Sequence, residues 1–242
     1  MVEALGDPRA RPDRRWIAHL TGARPDRIRA VLAELRAFVP LERGIRRTLR
    51  AGGRSNYAQI SGPLELYALV RLGRPRHVVE TGVSSGISSA HLLLALRQNG
   101  GGTLHSIDLP RHQRGFRKER TESPVGLPPG RSPGWAVPPA LRRGWDLRLG
   151  PSERRLPELV RELPRIDLFL HDDLHTPEHL AFELAVLRPS LGPGSVVLAD
   201  NTLWTGRALE RSAATWGAAV RSKGGTDLAG FRIGPRGIPP VR

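Results

Sequence analysis

His77-Val78-Val79-Glu80-Thr81-Gly82-Val83-Ser84-Ser85-Gly86-Ile87-Ser88 decides the fold class. A short apolar run feeds a glycine turn, and the turn feeds a helical pattern over Ser88–Leu96. Strand, glycine turn, helix is the opening of a parallel α/β unit, and the free N–H groups of such a helix start suit an anion such as a carboxylate. Glycine in the turn lets backbone approach a ligand closely. The spacing is G-x-x-x-G, so the dinucleotide fingerprint G-x-G-x-x-G is absent. Glu80, two residues before the first glycine, suits a ligand with a cationic centre better than a pyrophosphate.

The same rhythm continues outward. Leu104–Asp108 reads as a second strand, Trp145–Leu149 as a third, Ile166–Leu170 as a fourth and Ser195–Ala199 as a fifth. Helices are expected at Glu153–Leu163 and after Thr176, an N-cap with Pro177 at the first helical position. Leu191-Gly192-Pro193-Gly194 is expected as a turn. One helix around Leu209–Val220 and a strand around Leu228–Ile233 follow. The expectation is an α/β fold: a mostly parallel six- or seven-stranded sheet, Rossmann-like, with helices on both faces. Ligands in such sheets bind beyond the C-terminal strand ends.

Upstream, residues 1–24 read as a loose Arg/Pro-rich arm. A helix capped by Asp26 carries Ile28, Val31, Leu32, Leu35 and Phe38 and is stopped by Pro40; another covers Leu64–Leu72. These divide the chain into a basic N-terminal arm with helices, 1–59, and a catalytic domain, 60–242. Within the latter, 109–144 holds seven prolines and the basic run Arg111–Arg120, and is expected as a substrate lid.

The 242 residues are 39% hydrophobic and 25% charged, enough for a packed core. Without cysteine there is no disulfide, thiolate metal site or thiol nucleophile. No apolar run suits a membrane span or a signal peptide, so a cytoplasmic protein with no membrane partner is expected. The net charge of +15 comes from 38 basic residues, of which only Lys118 and Lys223 are lysine. That bias fits a GC-rich coding sequence as well as a polyanionic partner, so charge alone assigns no nucleic acid.

Two further motifs end strands. Leu170-His171-Asp172-Asp173-Leu174-His175 closes the fourth, and Leu198-Ala199-Asp200-Asn201-Thr202-Leu203-Trp204 closes the fifth. Adjacent parallel strands bring Asp172, Asp200 and Asn201 together, and these hard oxygen ligands suit Mg²⁺ or a similar divalent cation. His171 and His179 read as solvent or packing residues.

With these motifs in place, the chain resembles class I S-adenosylmethionine-dependent O-methyltransferases, in particular the metal-dependent branch typified by catechol and caffeoyl-CoA O-methyltransferases. The resemblance covers roughly residues 60–205. It implies that Glu80, Gly82, Ser84, Gly86 and Ser88 surround the methionine end of the cofactor, with Ser88 on its carboxylate. It implies Asp108 on the ribose, Gly150 and Ser152 by the adenine, and Asp172 beside the cofactor and on the metal with Asp200 and Asn201. His175 stands where that branch has its catalytic lysine, and an imidazole of unperturbed pKa about 6.5 is a competent general base. The expected acceptor is a small-molecule hydroxyl, catechol-like or a vicinal diol of a sugar. Arg111, Arg114 and Arg117 hint at an anionic one. The alternative is an RNA methyltransferase that uses the same cofactor fold without a metal. A homodimer built on the N-terminal helices is compatible with the sequence.

Overall fold

The computed structural model describes residues 12–51, 62–109, 127–128 and 130–240. Seven strands form one sheet in the order β3-β2-β1-β4-β5-β7-β6. These are β1 His77–Thr81, β2 Thr103–Asp108, β3 Trp145–Leu149, β4 Ile166–His171, β5 Leu191–Ala199, β6 Arg221–Ser222 and β7 Ala229–Arg232. β1 to β5 pair in parallel; β7 runs antiparallel to β5, and β6 antiparallel to β7. The seventh strand, left open by the sequence, is the two-residue β6.

Alternation along the strands sorts the core into two layers. Val78, Leu104, Leu168, Leu170 and Leu198 join one buried cluster, which holds α4 (Pro63–Gly73) and α5 (Ile87–Gln98). Val79, Ile107, Phe169, Val197 and Phe231 join the other, with α6 (Ser152–Glu162), α7 (Pro177–Leu187) and α8 (Ala208–Thr215). Each fully buried Leu, Val or Phe contributes roughly 1.5–3 kcal/mol, and both faces of the central strands are covered, as a parallel sheet requires. Among the described residues, no helix is long and apolar enough to cross a membrane.

The N-terminal segment differs from the sequence expectation. Within the stretch read as a loose arm, Arg14–Thr21 is a helix, α1, which buries Trp16, Ile17 and Leu20. Asp13 caps it by accepting from the Arg15 and Trp16 N–H groups, so an Asp three residues before the first core side chain carried the signal. The Trp16 Nε1–H donates to the Arg221 carbonyl at 2.7 Å, and the Asp13 carboxylate accepts from Gly224 N at 3.0 Å. The next helix, α2, spans Pro25–Glu34, with Pro25 in its first turn and Arg24 rather than Asp26 at the N-cap. Pro40 does not stop a helix. It sits in the first turn of α3 (Val39–Ala51), where its missing N–H has no intrahelical partner to lose. Trp16, Ile17, Leu20, Ile28, Val31, Leu35 and Ile45 all belong to the same buried cluster as α4 and α5.

Two smaller corrections concern the C-terminal half. Gly192–Gly194 lies inside β5: Leu191 pairs with Ile166, and pairing resumes at Val196 opposite Leu168, so the expected turn is an irregularity within the strand. The last helix ends at Thr215 rather than Val220.

Candidate active site

The order of strands reverses between β1 and β4: from β1 the chain builds outward through β2 and β3, and from β4 outward through β5. The crevice above such a reversal is where open α/β sheets bind ligands. Gly82 leaves β1 at this point with φ +82°, and a Cβ there would lie 1.9 Å from the Asp172 carbonyl oxygen. At Gly86, with φ +92°, a Cβ would meet Val137 Cγ2 at 2.5 Å. Both glycines therefore serve backbone packing. They press the loop onto β4 on one side and onto residues 134–137 on the other.

The latter contact changes the picture of the lid. Gly134 N donates to the Ser84 carbonyl at 2.8 Å and Ala136 N to the Ser85 carbonyl at 3.0 Å, while Ala136 and Val137 are buried. The end of the expected lid is thus a fixed wall bonded to the glycine loop. Residues 110–126, with Arg111, Arg114 and Arg117, lie outside the described residues.

Glu80 is fully buried. Its carboxylate accepts from the hydroxyls of Ser88, Ser89 (2.6 Å) and Ser106 (2.7 Å), which ties β1 to β2 and to the first turn of α5. Burial pushes its pKa up to about 7 against the pull of those hydroxyls. Ser88 therefore has its hydroxyl on Glu80. The neighbouring Ser84 and Ser85 hydroxyls are buried and find no hydrogen-bond partner among the described residues. Asp108, at the end of β2, accepts from the Val83 (3.0 Å) and Ser84 (2.8 Å) N–H groups through Oδ2 and from Leu109 N–H through Oδ1. It fixes the glycine loop to β2. Its pKa is raised, burial outweighing these hydrogen bonds. Gly150 follows β3, and its N–H donates to the Asp108 carbonyl at 2.9 Å.

The ends of β4 and β5 do converge. His175 is buried; its Nε2 lies 3.5 Å from Asp172 Oδ1 and 3.4 Å from Asn201 Nδ2, whose distance to His175 Nδ1 is 3.3 Å. The amide nitrogen is thus nearly equidistant from the two ring nitrogens. Asn201 holds φ +51°, a left-handed conformation that Asn tolerates better than most residues. Asp200 is 2% exposed, and its Oδ1 accepts no hydrogen bond among the described residues. Burial first, then the negative charges of Asp172 and Asp227, push its pKa up to about 8. Burial also raises Asp172, opposed by His175. Two mutually repelling carboxylates, Asp172 half-buried and Asp200 buried with an orphaned oxygen, and an amide beside them form a donor set that fits a hard divalent cation.

Ser152 opens α6. Its hydroxyl lies 2.8 Å from Asp173 Oδ2 and 3.0 Å from His179 Nε2, a buried cluster that also takes in His171 and Glu183. Reading His171 and His179 as solvent or packing residues missed this cluster. Its signal was present: His179 and Glu183 are four apart on α7 and share a face. Asp227, which arrives from the β6–β7 connection, had no local signal.

Residues 79–202, just over half of the chain, match the family model described as a methyltransferase domain. No curated protein matches the sequence. Solved structures share the fold at low identity. Cofactor-bound Rv0187 from MTB superposes with a TM-score of 0.58 at 15% identity, over 88% of this chain and 100% of that one. CalS11, a calicheamicin methyltransferase, gives 0.53 at 19% identity over 86% and 91%. The O-methyltransferase from Bacillus cereus, in complex with SAH, gives 0.51 at 14% over 90% and 95%.

Proposed function

The chain belongs to the methyltransferase-domain family, and from that premise we propose that it is an S-adenosylmethionine-dependent O-methyltransferase. Its acceptor is a small molecule with a hydroxyl, catechol-like or a vicinal diol of a sugar. Asp172, Asp200 and Asn201 would hold a divalent cation of the Mg²⁺ class, which would orient that hydroxyl, and His175 is the general base. The observation that carries this reading is the meeting of Asp172, His175 and Asn201 at the ends of β4 and β5, next to buried Asp200, whose Oδ1 accepts no hydrogen bond among the described residues. The fold neighbours lend support: CalS11 is titled a TDP-rhamnose 3′-O-methyltransferase, and the Bacillus cereus protein an O-methyltransferase bound to SAH.

The cofactor supplies an electrophilic methyl on a positively charged sulfur, and the cation lowers the pKa of the acceptor hydroxyl. The protein does the rest. Ser84 and Ser85 offer the unpartnered hydroxyls, and the start of α5, which has no side-chain cap, offers free N–H groups to the cofactor carboxylate. Buried Glu80 sets a negative potential beneath that end. Asp108 Oδ1, which accepts one backbone bond from Leu109 N–H, retains a lone pair for a ribose hydroxyl. His175 takes the acceptor proton as the oxygen–carbon bond forms and the sulfur–carbon bond breaks. Asp172, 3.5 Å from Nε2, stabilises the imidazolium that results.

Calorimetric titration with S-adenosylmethionine, followed by methyl transfer to catechol and to a nucleotide sugar with and without EDTA, tests the reading. Micromolar cofactor binding and EDTA-sensitive transfer are expected. Cofactor binding with transfer indifferent to EDTA would remove the metal, and transfer to RNA alone would replace the acceptor class.

A further inference from the structure

The buried cluster behind β4 lies outside the chemistry above. His171 Nδ1 lies 2.7 Å from Glu183 Oε2 and 3.6 Å from Asp173 Oδ1; His179 Nε2 lies 3.1 Å from Asp173 Oδ1 and 3.5 Å from Glu183 Oε1. Ligand atoms of a four-coordinate zinc ion, with bonds of about 2.0–2.1 Å, stand about 3.3 Å apart. The four spacings, which reach different Glu183 oxygens from the two histidines, bracket that value, and one atom each of His171, Asp173 and Glu183 all lie within 4.8 Å of one another, with His179 beside them. The side chains of His171 and Glu183 are wholly buried, that of His179 is 7% exposed and that of Asp173 21%. Glu183 Oε1, inside the cluster, accepts no hydrogen bond among the described residues.

We propose that His171, Asp173, His179 and Glu183 form a closed site for a zinc-class ion, distinct from the oxygen-rich set of Asp172, Asp200 and Asn201. Two imidazoles and two carboxylates select a borderline transition metal, whereas two carboxylates and an amide select a hard one. Charge balances as well, since two carboxylates neutralise a divalent ion. The surroundings have the form that supports metal ligands. Thr81 Oγ1 donates to Glu183 Oε2 at 3.2 Å, and Ser152 Oγ lies 2.8 Å from Asp173 Oδ2. Glu153 Oε1 stands 3.6 Å from His179 Nδ1, the ring nitrogen turned away from the cluster. The ligands come from β4, from the loop after it and from α7, with α6 attached through Ser152. The site leaves no fourth position for water and is structural: it clamps the strand end from which Asp172 projects.

The test uses the tag-free full chain stripped with a chelator, in an Asp200→Asn background that disables the other cation site. Competition against a chromophoric chelator is expected to give one Zn²⁺ per chain. Adding Glu183→Gln is expected to weaken Zn²⁺ by more than the roughly 10–100-fold that loss of an outer partner costs. Far-UV circular dichroism checks that this double variant folds. If it does not, the Co²⁺ form of the Asp200→Asn protein decides, with the strong visible absorption of a four-coordinate ion expected. No stoichiometric Zn²⁺, Zn²⁺ binding indifferent to Glu183→Gln, or the weak absorption of six-coordinate Co²⁺ would overturn the proposal and leave an ion-paired cluster. None of these readouts depends on methyl transfer, so the outcome is separate from that of the proposed activity.

Discussion

At the scale of single residues, buried carboxylates set the behaviour of the site. Glu80 has its folded-state pKa raised from 4.5 to about 7 by burial. A carboxyl that binds its proton more tightly when folded stabilises the fold at low pH. That contribution is lost as pH rises from about 4.5 to about 7, and amounts to about 3 kcal/mol at most. Glu80→Gln is therefore expected to flatten the pH dependence of unfolding in that window relative to wild type, as chemical denaturation across pH 4.5–8 would show. An equal slope in both proteins would contradict the burial argument. Asp200 carries the same sign to higher pH, its proton held to about 8. A cation must displace that proton, so Mg²⁺ affinity is expected to rise with pH up to about 8 and then level off. Asp200→Asn is expected to reduce transfer and Mg²⁺ binding together, by at least about tenfold. Much of this site was legible beforehand, because Asp172, His175, Asp200 and Asn201 lie at strand ends that the alternation of apolar runs locates. What stayed hidden was the direction in which neighbours point. Nothing in His171-Asp172-Asp173 says that Asp172 faces His175 while its two flanking residues turn to α7.

At the scale of elements, the glycine loop is a joint between β1, β4 and the wall at Gly134–Val137. Gly82→Ala is expected to destabilise the protein by several kcal/mol, since the methyl group would overlap the Asp172 carbonyl at 1.9 Å in a backbone conformation that alanine disfavours. Thermal unfolding measures it; where alanine fits the native backbone the replacement stabilises by about 0.4–1 kcal/mol, so a loss below about 1 kcal/mol would mean that the loop yields. Thr176, whose side chain accepts from His179 N, gives the contrasting case. Its replacement by Ala is expected to cost about 1 kcal/mol, the usual value of an N-cap. Strands and helices with strong periodicity were readable within a residue or two. Pro40 and Gly192–Gly194 were misread because proline starts helices as readily as it ends them, and because a strand can contain an irregular step.

At the scale of the whole molecule, the N-terminal helices and the sheet share one apolar cluster, from Trp16 to Leu228. A single cooperative unfolding transition is expected, and Trp16→Ala, which empties a site 3% exposed, is expected to lower its free energy by about 3–5 kcal/mol. A separate early transition in calorimetry would show instead that the N-terminal helices melt alone. Tertiary docking of this kind is invisible to local pattern: the stretch around α1 looked loose because partners of Asp13 and Trp16 such as Gly224 and Arg221 lie some two hundred residues away.

That distance has a consequence for biosynthesis. The Trp16 indole is held by the carbonyl of Arg221, and Asp13 by Gly224. The seating of α1 is therefore completed only after β6 and the turn beyond it have been made. Until then α2 and α4, the helices it also packs against, are what can cover Trp16, Ile17 and Leu20.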